Sequence, residues 1–255
     1  MSKKKFFVVS DVHGYYSILK ESLDKAGFDE NNENHWLIVC GDAFDRGREP
    51  LQMLSFLMSL PRKILIRGNH EDLLESMCFR GYAMSHDKSN GTLQTVKDMV
   101  PKCTDLGNAM EAVLFLTKDY RESLLNYFET KNYIFVHGWI PCEKISGDSK
   151  PWWQMYKTHE YNPDWRNCND VEWESARWTC GIRRGLESII EPNKTIVCGH
   201  WHCSAGYVLT GEAEHEFDTG AIWEPFKSEG MIAIDRCTAH TGEINVLVIE
   251  DEFLE

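Results

Sequence analysis

The stretch VVSDVHGYYSILK, residues 8–20, joins an apolar run to a segment with helical spacing through a short polar connection. Asp11 and His13 lie in that connection, one residue apart, and Gly14 follows them. Aspartate and glycine are ordinary turn residues, so this stretch alone is compatible with a simple turn. It is also compatible with half of a metal site, because carboxylate and imidazole groups both bind metal ions. The rest of the chain decides between these two interpretations.

Five short apolar runs end at a polar cluster in the same way. They are FFVVSD (6–11), LIVCGD (37–42), KILIRGN (63–69), YIFVHG (133–138) and TIVCGH (195–200). Runs rich in valine and isoleucine without polar alternation are typical of strands buried on both faces. The intervals between the first three runs have helical spacing, which predicts parallel strands joined by right-handed helical crossovers. In such sheets, sites form outside the carboxyl ends of the strands, where all five polar clusters fall.

The remaining segments predict a single domain over residues 1–255, because no repeat or linker interrupts the chain. We expect a helical insertion over about 72–128 with a break near 85–91, then a hairpin that turns at Lys131-Asn132. An irregular segment rich in tryptophan follows over about 139–180. The runs HEFDTG (215–220), GMIAID (230–235) and INVLVIE (244–250) predict antiparallel strands of a second sheet.

Composition excludes several classes of function. The net charge of −13 lacks the basic footprint of a non-specific nucleic-acid binder. No run of 18 or more apolar residues occurs, so we expect no contact with a membrane. Nine cysteines, an odd number without a CxxC pair, predict reduced thiols in a cytoplasmic protein.

Taken together, the strand ends predict a dinuclear metal site. A lone histidine or aspartate at a strand end is usually structural, but the same feature recurs at five strand ends. Two neighbouring divalent ions need a carboxylate that bridges them, and Asp42 follows the strand that we expect to be central. Carboxylate, imidazole and amide ligands without thiolates favour Mn²⁺, with Fe or Zn²⁺ as alternatives, over calcium.

Five motifs, in this order, resemble the signatures of the calcineurin-like metallophosphoesterases: SDVHG (10–14), GDAFDRG (41–47), RGNHE (67–71), VHG (136–138) and GHWH (199–202). The resemblance is strongest to the phosphoprotein-phosphatase branch in its compact bacterial and phage form. It implies a four-layer α-β-β-α sandwich, in which two central mixed sheets are flanked by helices. The metal site would lie at the carboxyl ends of the strands.

The resemblance also implies a set of metal ligands. One ion would be held by Asp11, His13 and Asp42, and the other by Asp42, Asn69, His137 and His200. His202 matches the second histidine of the GHxH motif, which completes the first ion's ligands across the wider superfamily. Because the phosphoprotein-phosphatase branch usually lacks a ligand at that place, the role of His202 stays open.

Further residues receive catalytic roles from the same resemblance. His70 matches the general acid, Asp45 would orient its imidazole, and Arg46 would bind the phosphoryl oxygens. A second phosphate-binding arginine is expected after the VHG motif, and Arg177 in WESARW is the best match, with Arg183 and Arg184 as competitors. Glu71 is interpreted as a helix-start residue.

These inferences predict a dinuclear-metal enzyme that hydrolyses phosphomonoesters by in-line attack of a metal-bridging hydroxide, with phosphoserine and phosphothreonine proteins as the favoured substrates. A dinucleoside polyphosphate hydrolase, or a phosphatase of nucleotides or nucleic-acid ends, is the alternative. It stays open because residues 139–180 follow no protein-phosphatase pattern. Their tryptophans would form either a stacking platform for a nucleobase or a core under a long loop, and we favour the core. A catalytically dead phosphate-binding relative is disfavoured, because every ligand position is kept.

Overall fold

The computed structural model describes residues 3–144 and 159–254. Within these residues, the first of two large sheets has the strand order β11-β1-β2-β3. Its strands are β1 (Lys4–Val9), β2 (His35–Cys40), β3 (Lys63–Ile66) and β11 (Leu247–Asp251). The first three strands are parallel, as the crossover pattern predicts, and β11 pairs antiparallel with β1. Strand β2, which leads to Asp42, is therefore an interior strand.

The second large sheet has the order β4-β5-β8-β10-β9. Its strands are β4 (Phe128–Glu129), β5 (Tyr133–Phe135), β8 (Thr195–His202), β9 (Phe226–Ser228) and β10 (Met231–Asp235). The three inner strands are parallel, whereas the two edge strands β4 and β9 are antiparallel to their neighbours. β4 and β5 form the predicted hairpin. A separate antiparallel ribbon joins β6 (Cys142–Lys144) to β7 (His159–Tyr161).

Helices cover the outer face of each sheet. The helices of the first half of the chain are α1 (Tyr16–Ala26), α2 (Pro50–Ser59), α3 (Asn69–Arg80), α4 (Ser85–Ser89), α5 (Thr92–Met99), α6 (Leu106–Leu116) and α7 (Lys118–Glu122). With the exception of the polar helix α4, they bury apolar side chains in one core on the first sheet. Three helices of the second half pack on the second sheet: α8 (Asp170–Arg177), α9 (Gly181–Leu186) and α10 (Cys203–Leu209). The last helix, α11 (Thr238–Thr241), is a single turn that follows β10.

The alternation of side chains along β1 shows how the layers are built. Phe6 and Val8 point into a core that the two sheets share, whereas Phe7 and Val9 pack against the helices of the first half. All four side chains are fully buried, which explains why the run carries no polar alternation. The four-layer α-β-β-α sandwich predicted from the resemblance is thus confirmed.

The tail of the chain differs from the sequence prediction in three places. Residues 215–220 form no strand, and Phe217 at their centre is half exposed. The run INVLVIE forms β11, but in the first sheet, because β1 has a free edge there and Ile249 opposite Phe6 completes the core between the sheets. GMIAID does enter the second sheet as β10, but it runs parallel to β8.

The predicted helical break near 85–91 contains the short helix α4.

The described tryptophans of the segment 139–180 differ in their exposure to solvent. Trp139, Trp165 and Trp173 are buried in the core of the second sheet, which confirms the favoured interpretation for them. Trp178 is half exposed, while the pair at 152–153 lies outside the described residues. All nine cysteines are free, and the described part of the chain has no helix with the length and apolar character to span a membrane.

Candidate functional site

The carboxyl ends of strands from both large sheets meet at one cavity of about 130 Å³. β1, β2 and β3 lead into it from the first sheet, and β8 and β10 from the second. Two sheets packed face to face bring these ends together, although the residues are up to 226 positions apart in the chain. The wall consists of Asp11, His13, Asp42, Arg46, Asn69, His70, Asn90, Trp178, His200, His202, Asp235 and Cys237.

The backbone around the cavity is strained. In the described part of the chain, nine residues other than glycine have a positive φ angle, and seven of them belong to this site: Asp11, His13, Asp42, Asp45, Arg46, His200 and Cys237. Such conformations cost free energy for residues with a side chain, and they persist where the surrounding structure imposes them. Their concentration here indicates that the fold places these side chains at the expense of local stability.

Asp42 lies at the centre of two groups of potential metal ligands. His13, Asp42 and His70 form one group, and Asp42, His137 and His200 form the other, with the ligand atoms of each group within 4.8 Å of one another. The Oδ2 atom of Asp42 is 3.8 Å from His13 Nε2, and its Oδ1 atom is 3.4 Å from His137 Nε2. One carboxylate thus faces both groups, which is the arrangement that a bridging ligand requires.

Backbone carbonyls hold the imidazoles with their Nε2 atoms toward the cavity. His13 Nδ1 lies 3.1 Å from the Phe44 carbonyl, and His137 Nδ1 lies 2.8 Å from the Cys40 carbonyl. Because a carbonyl only accepts, each Nδ1 carries a proton, which leaves Nε2 as the ring nitrogen that can bind a metal ion. His137 Nε2 is also 2.8 Å from Asn69 Oδ1, so two predicted ligands of one ion are adjacent.

Burial prepares the same groups to bind cations. It lowers the pKa of His13 well below its usual value, with Arg46 acting in the same direction, and lowers the pKa of His200 to about 3. These imidazoles are therefore neutral near pH 7 and able to act as ligands. Burial raises the pKa of Asp42 well above its usual range, reinforced by the neighbouring Asp11 carboxylate. Two buried carboxylates side by side favour a cation between them.

His70, which also belongs to the first group of potential ligands, forms a second set of contacts with Asp45 and Arg46. His70 Nδ1 is 2.7 Å from Asp45 Oδ2, and the Arg46 guanidinium is 2.7 Å from His13 Nε2 and 3.2 Å from His70 Nε2. Although burial opposes protonation, Asp42 and Asp45 raise the pKa of His70 above its usual value. The imidazole is thus held by one carboxylate with its other nitrogen facing the cavity, as a proton donor requires.

A sequence comparison identifies the family to which this geometry belongs. The sequence profile of the calcineurin-like phosphoesterases matches residues 4–204, which include all five motifs. The chain belongs to the calcineurin-like phosphoesterase family. The donor set around Asp42 fits the divalent ions that this family implies.

The individual relatives and solved structures that match this chain share only a low percentage of identical residues with it. The phosphoesterase is 26% identical over 267 residues to the symmetrical bis(5′-nucleosyl)-tetraphosphatase of Wigglesworthia glossinidia brevipalpis, and the match covers 86% of this chain and 92% of the relative. Among solved structures, a candidate diadenosine tetraphosphatase has a TM-score of 0.52 at 13% identity, covering 99% and 95% of the two chains. A cold-active protein tyrosine phosphatase also has a TM-score of 0.52, at 17% identity, covering 96% and 73%. The two structural matches show the shared fold.

Arg177 and His202 lie differently from the other predicted residues of the phosphoesterase site, and Asp11 lines the cavity but belongs to neither ligand group around Asp42. Arg177 is buried away from the cavity wall, where its guanidinium donates to Asp72 Oδ2 at 2.6 Å and to Asn126 Oδ1 at 3.0 Å. The geometry therefore gives no support to its predicted phosphate contact. His202 lines the cavity, but its Nδ1 pairs with Glu216 Oε1 at 2.9 Å, and it belongs to neither group of ligands around Asp42.

The structure confirms Glu71 as a helix-start residue of α3, gives it a further role, and adds Asp235, which sequence reasoning missed. Glu71 is buried, and its carboxylate accepts the backbone N–H groups of Asp42, Ala43 and Gly68, so it joins two of the motif loops. Its position at the end of the RGNHE motif was the only feature of the sequence that pointed to this role. Asp235, buried at the end of β10, lines the cavity as well, although no motif in the sequence analysis included it.

Proposed function

We propose that this phosphoesterase hydrolyses symmetrical dinucleoside tetraphosphates to two nucleoside diphosphates, with two divalent ions, Mn²⁺ by preference. The observation that carries the substrate class is the match to a bis(5′-nucleosyl)-tetraphosphatase over nearly the whole of both chains. This reverses the preference expressed in the sequence analysis, where phosphoproteins came first. The nine free thiols support a cytoplasmic location.

An exposed aromatic side chain supports a substrate with a nucleobase. Trp178 lies on the cavity wall with 48% of its surface exposed, and its ring contacts His200 edge-on at 5.9 Å. A tryptophan ring beside a phosphate-binding site offers a stacking face for a purine.

The residues around Asp42 would divide the work between metal binding and proton transfer. Asp11, His13 and Asp42 would hold one ion, and Asp42, Asn69, His137 and His200 the other. Bound divalent ions would supply Lewis acidity and offset the charge of the polyphosphate. Arg46 would bind phosphoryl oxygens through its planar guanidinium, which already lies in the cavity.

His70 would protonate the leaving group. Cleavage between the second and third phosphates places negative charge on the oxygen of the departing nucleoside diphosphate. A proton on His70 Nε2 faces the cavity, because Nδ1 is held by Asp45, and it can neutralise that oxygen as the bond breaks. Water supplies the attacking oxygen, so no covalent phosphoenzyme is required.

A matched substrate panel tests this function. Protein reconstituted with Mn²⁺ should be assayed on a symmetrical dinucleoside tetraphosphate, p-nitrophenyl phosphate, phosphoserine and phosphothreonine peptides and a 5′-phosphorylated oligonucleotide, with His70→Asn as the blank. We expect the tetraphosphate to give the highest kcat/KM and nucleoside diphosphate as the sole nucleotide product. Faster turnover of the phosphopeptides, lost in His70→Asn, would instead assign the site to phosphoproteins.

Substitution of Trp178 tests the nucleobase contact separately. Stacking on an aromatic side chain contributes about 1–3 kcal/mol per base, so Trp178→Ala should raise KM for the tetraphosphate about tenfold. KM for a phosphoserine peptide without aromatic residues, which offers no ring to stack, should stay within about twofold. Phe115→Ala is the control, since Phe115 is exposed but does not line the cavity. An equal rise in KM for both substrates would contradict base stacking.

A further inference from the structure

Asp45 is held by two threonines as well as by His70. The side chain of Asp45 is fully buried, and its Oδ2 accepts from Thr92 Oγ1 at 2.7 Å in addition to His70 Nδ1. Its Oδ1 accepts from Thr95 Oγ1, also at 2.7 Å. We propose that Thr92 and Thr95 are positioning residues that lock the Asp45 carboxylate so that it orients the His70 imidazole. This inference rests on the proposed function for the role of His70.

The geometry of α5 places both hydroxyls where Asp45 needs them. Thr92 is the first residue of this helix and Thr95 is three positions later, so both lie on one face. Both side chains are buried, with at most 1% of either residue exposed. A buried hydroxyl requires a partner, and each finds it in a different oxygen of one carboxylate. The two bonds therefore fix the rotation of the carboxylate as well as its place.

The start of α5 is also packed against the loop that carries Asp45. A Cβ atom on Gly91 would come within 2.6 Å of the Arg46 backbone nitrogen, so only glycine allows this approach. Asp45 and Arg46 have φ angles of 63° and 60°, which are strained for residues with side chains. The helix thus supports the loop through both its backbone and its threonines, and this support comes from the helical insertion.

The chemical consequence concerns the direction in which His70 points. An ionised carboxylate only accepts hydrogen bonds, so Asp45 receives protons from His70 Nδ1 and from both threonines. This keeps the proton on Nδ1 and leaves Nε2 toward the cavity. Without the hydroxyls, the carboxylate loses two of its three side-chain donors and can rotate away from the imidazole. A misplaced proton donor slows the chemical step more than it weakens substrate binding.

Four variants isolate this role. Thr92→Val with Thr95→Val removes both hydroxyls at nearly constant volume, and the corresponding double serine variant restores them. Thr117→Val is the matched control, because Thr117 is equally buried but donates to the Val113 carbonyl. His70→Asn measures the whole contribution of the imidazole. Thermal unfolding of every variant shows whether it is folded before the other measurements are compared.

The first readout uses metal-free protein and needs no activity. In ¹⁵N-histidine spectra, the Nδ1 proton of His70, assigned by its absence from His70→Asn, should be downfield and slow to exchange in the wild type and in Thr117→Val. It should broaden or move upfield in the double valine variant and return in the double serine variant. An unchanged signal in the double valine variant would overturn the inference.

The second readout is kinetic and separates this inference from the proposed function. With Mn²⁺ and the dinucleoside tetraphosphate, the double valine variant should lose about tenfold in kcat, with KM within about twofold. Wild-type kcat in that variant, beside a strongly impaired His70→Asn, would refute the positioning role and leave the proposed function standing. If the wild type does not cleave the tetraphosphate, the proposed substrate is wrong, and the histidine spectra alone decide the role of the threonines.

Discussion

Replacement of Glu71 by glutamine should destabilise the metal-free protein by about 2–4 kcal/mol, because this buried carboxylate satisfies several buried donors at once. Glu71 Oε2 accepts from the backbone N–H groups of Asp42 at 2.9 Å and Gly68 at 2.8 Å. Its Oε1 accepts from the Ala43 N–H at 2.9 Å and from the Tyr120 hydroxyl at 3.1 Å. Two loops of the site, after β2 and after β3, are therefore joined by one side chain.

The magnitude follows from what an amide can offer these donors. Glutamine retains one oxygen, which we expect to face Asp42 and Gly68, and presents its NH₂ group to Ala43 and Tyr120. The tyrosine hydroxyl can rotate to accept, but the Ala43 N–H keeps no partner, at a cost of about 1–3 kcal/mol. The two retained bonds also lose their charge assistance, about 1 kcal/mol each, while the lower desolvation of a neutral group offsets part of the loss.

Urea denaturation in the presence of EDTA measures this quantity without a contribution from bound metal. The midpoint for Glu71→Gln should fall with an unchanged m-value, which indicates a loss of stability and not a change in the unfolded state. Glu111→Gln is the control, because Glu111 is exposed on α6 and should change stability by less than about 0.5 kcal/mol. A Glu71→Gln variant as stable as this control would refute the role of Glu71 in joining the two loops.

Three further outcomes test the site and the electrostatics of the fold. Asp42→Asn should abolish stoichiometric metal binding measured by elemental analysis, since both ligand groups share this carboxylate; wild-type metal content would contradict a bridging role. EDTA should lower the Tm of the wild type but not that of Asp42→Asn, because ligands that bind the native state stabilise it. Hydrogen bonds from Tyr161, Trp165 and Arg166 outweigh burial and lower the pKa of Glu191 from its usual 4.5. Its stabilising contribution is complete above that value and lost as the pH falls through the lower native pKa, so Glu191→Gln should show a smaller loss of stability on acidification in urea titrations.

Some parts of the fold could be predicted because they depend on local patterns. The sequences of β1 and β2 are apolar at successive positions, which predicts strands that are buried on both faces. In the structure, each strand is covered by the other sheet on one face and by helices on the other. The run at 244–250 has the same local character, but its partner is chosen by the free edge of β1. That choice depends on residues more than 200 positions away, which no local pattern contains.

The candidate site shows the same division. Short motifs carry Asp42, Asn69 and His137 directly, because each occupies a strand end with a distinctive neighbouring sequence. The orientation of Arg177 could not be read in this way, since its guanidinium is directed by Asp72, an acidic residue 105 positions earlier. A motif identifies which residue is present but not which of two partners its flexible side chain meets.

By itself, the sequence determined the family, the parallel direction of the first three strands and the residues that the strand ends present to a metal site, because these follow from contiguous motifs and local periodicity. Only the tertiary structure decided that the two donor groups share Asp42, that Glu71 joins their loops and that the threonines of α5 hold Asp45. These contacts join residues up to 158 positions apart, as between Asp42 and His200. They exist because two packed sheets and a helical insertion bring separate loops into one buried volume, where each polar group must find a partner.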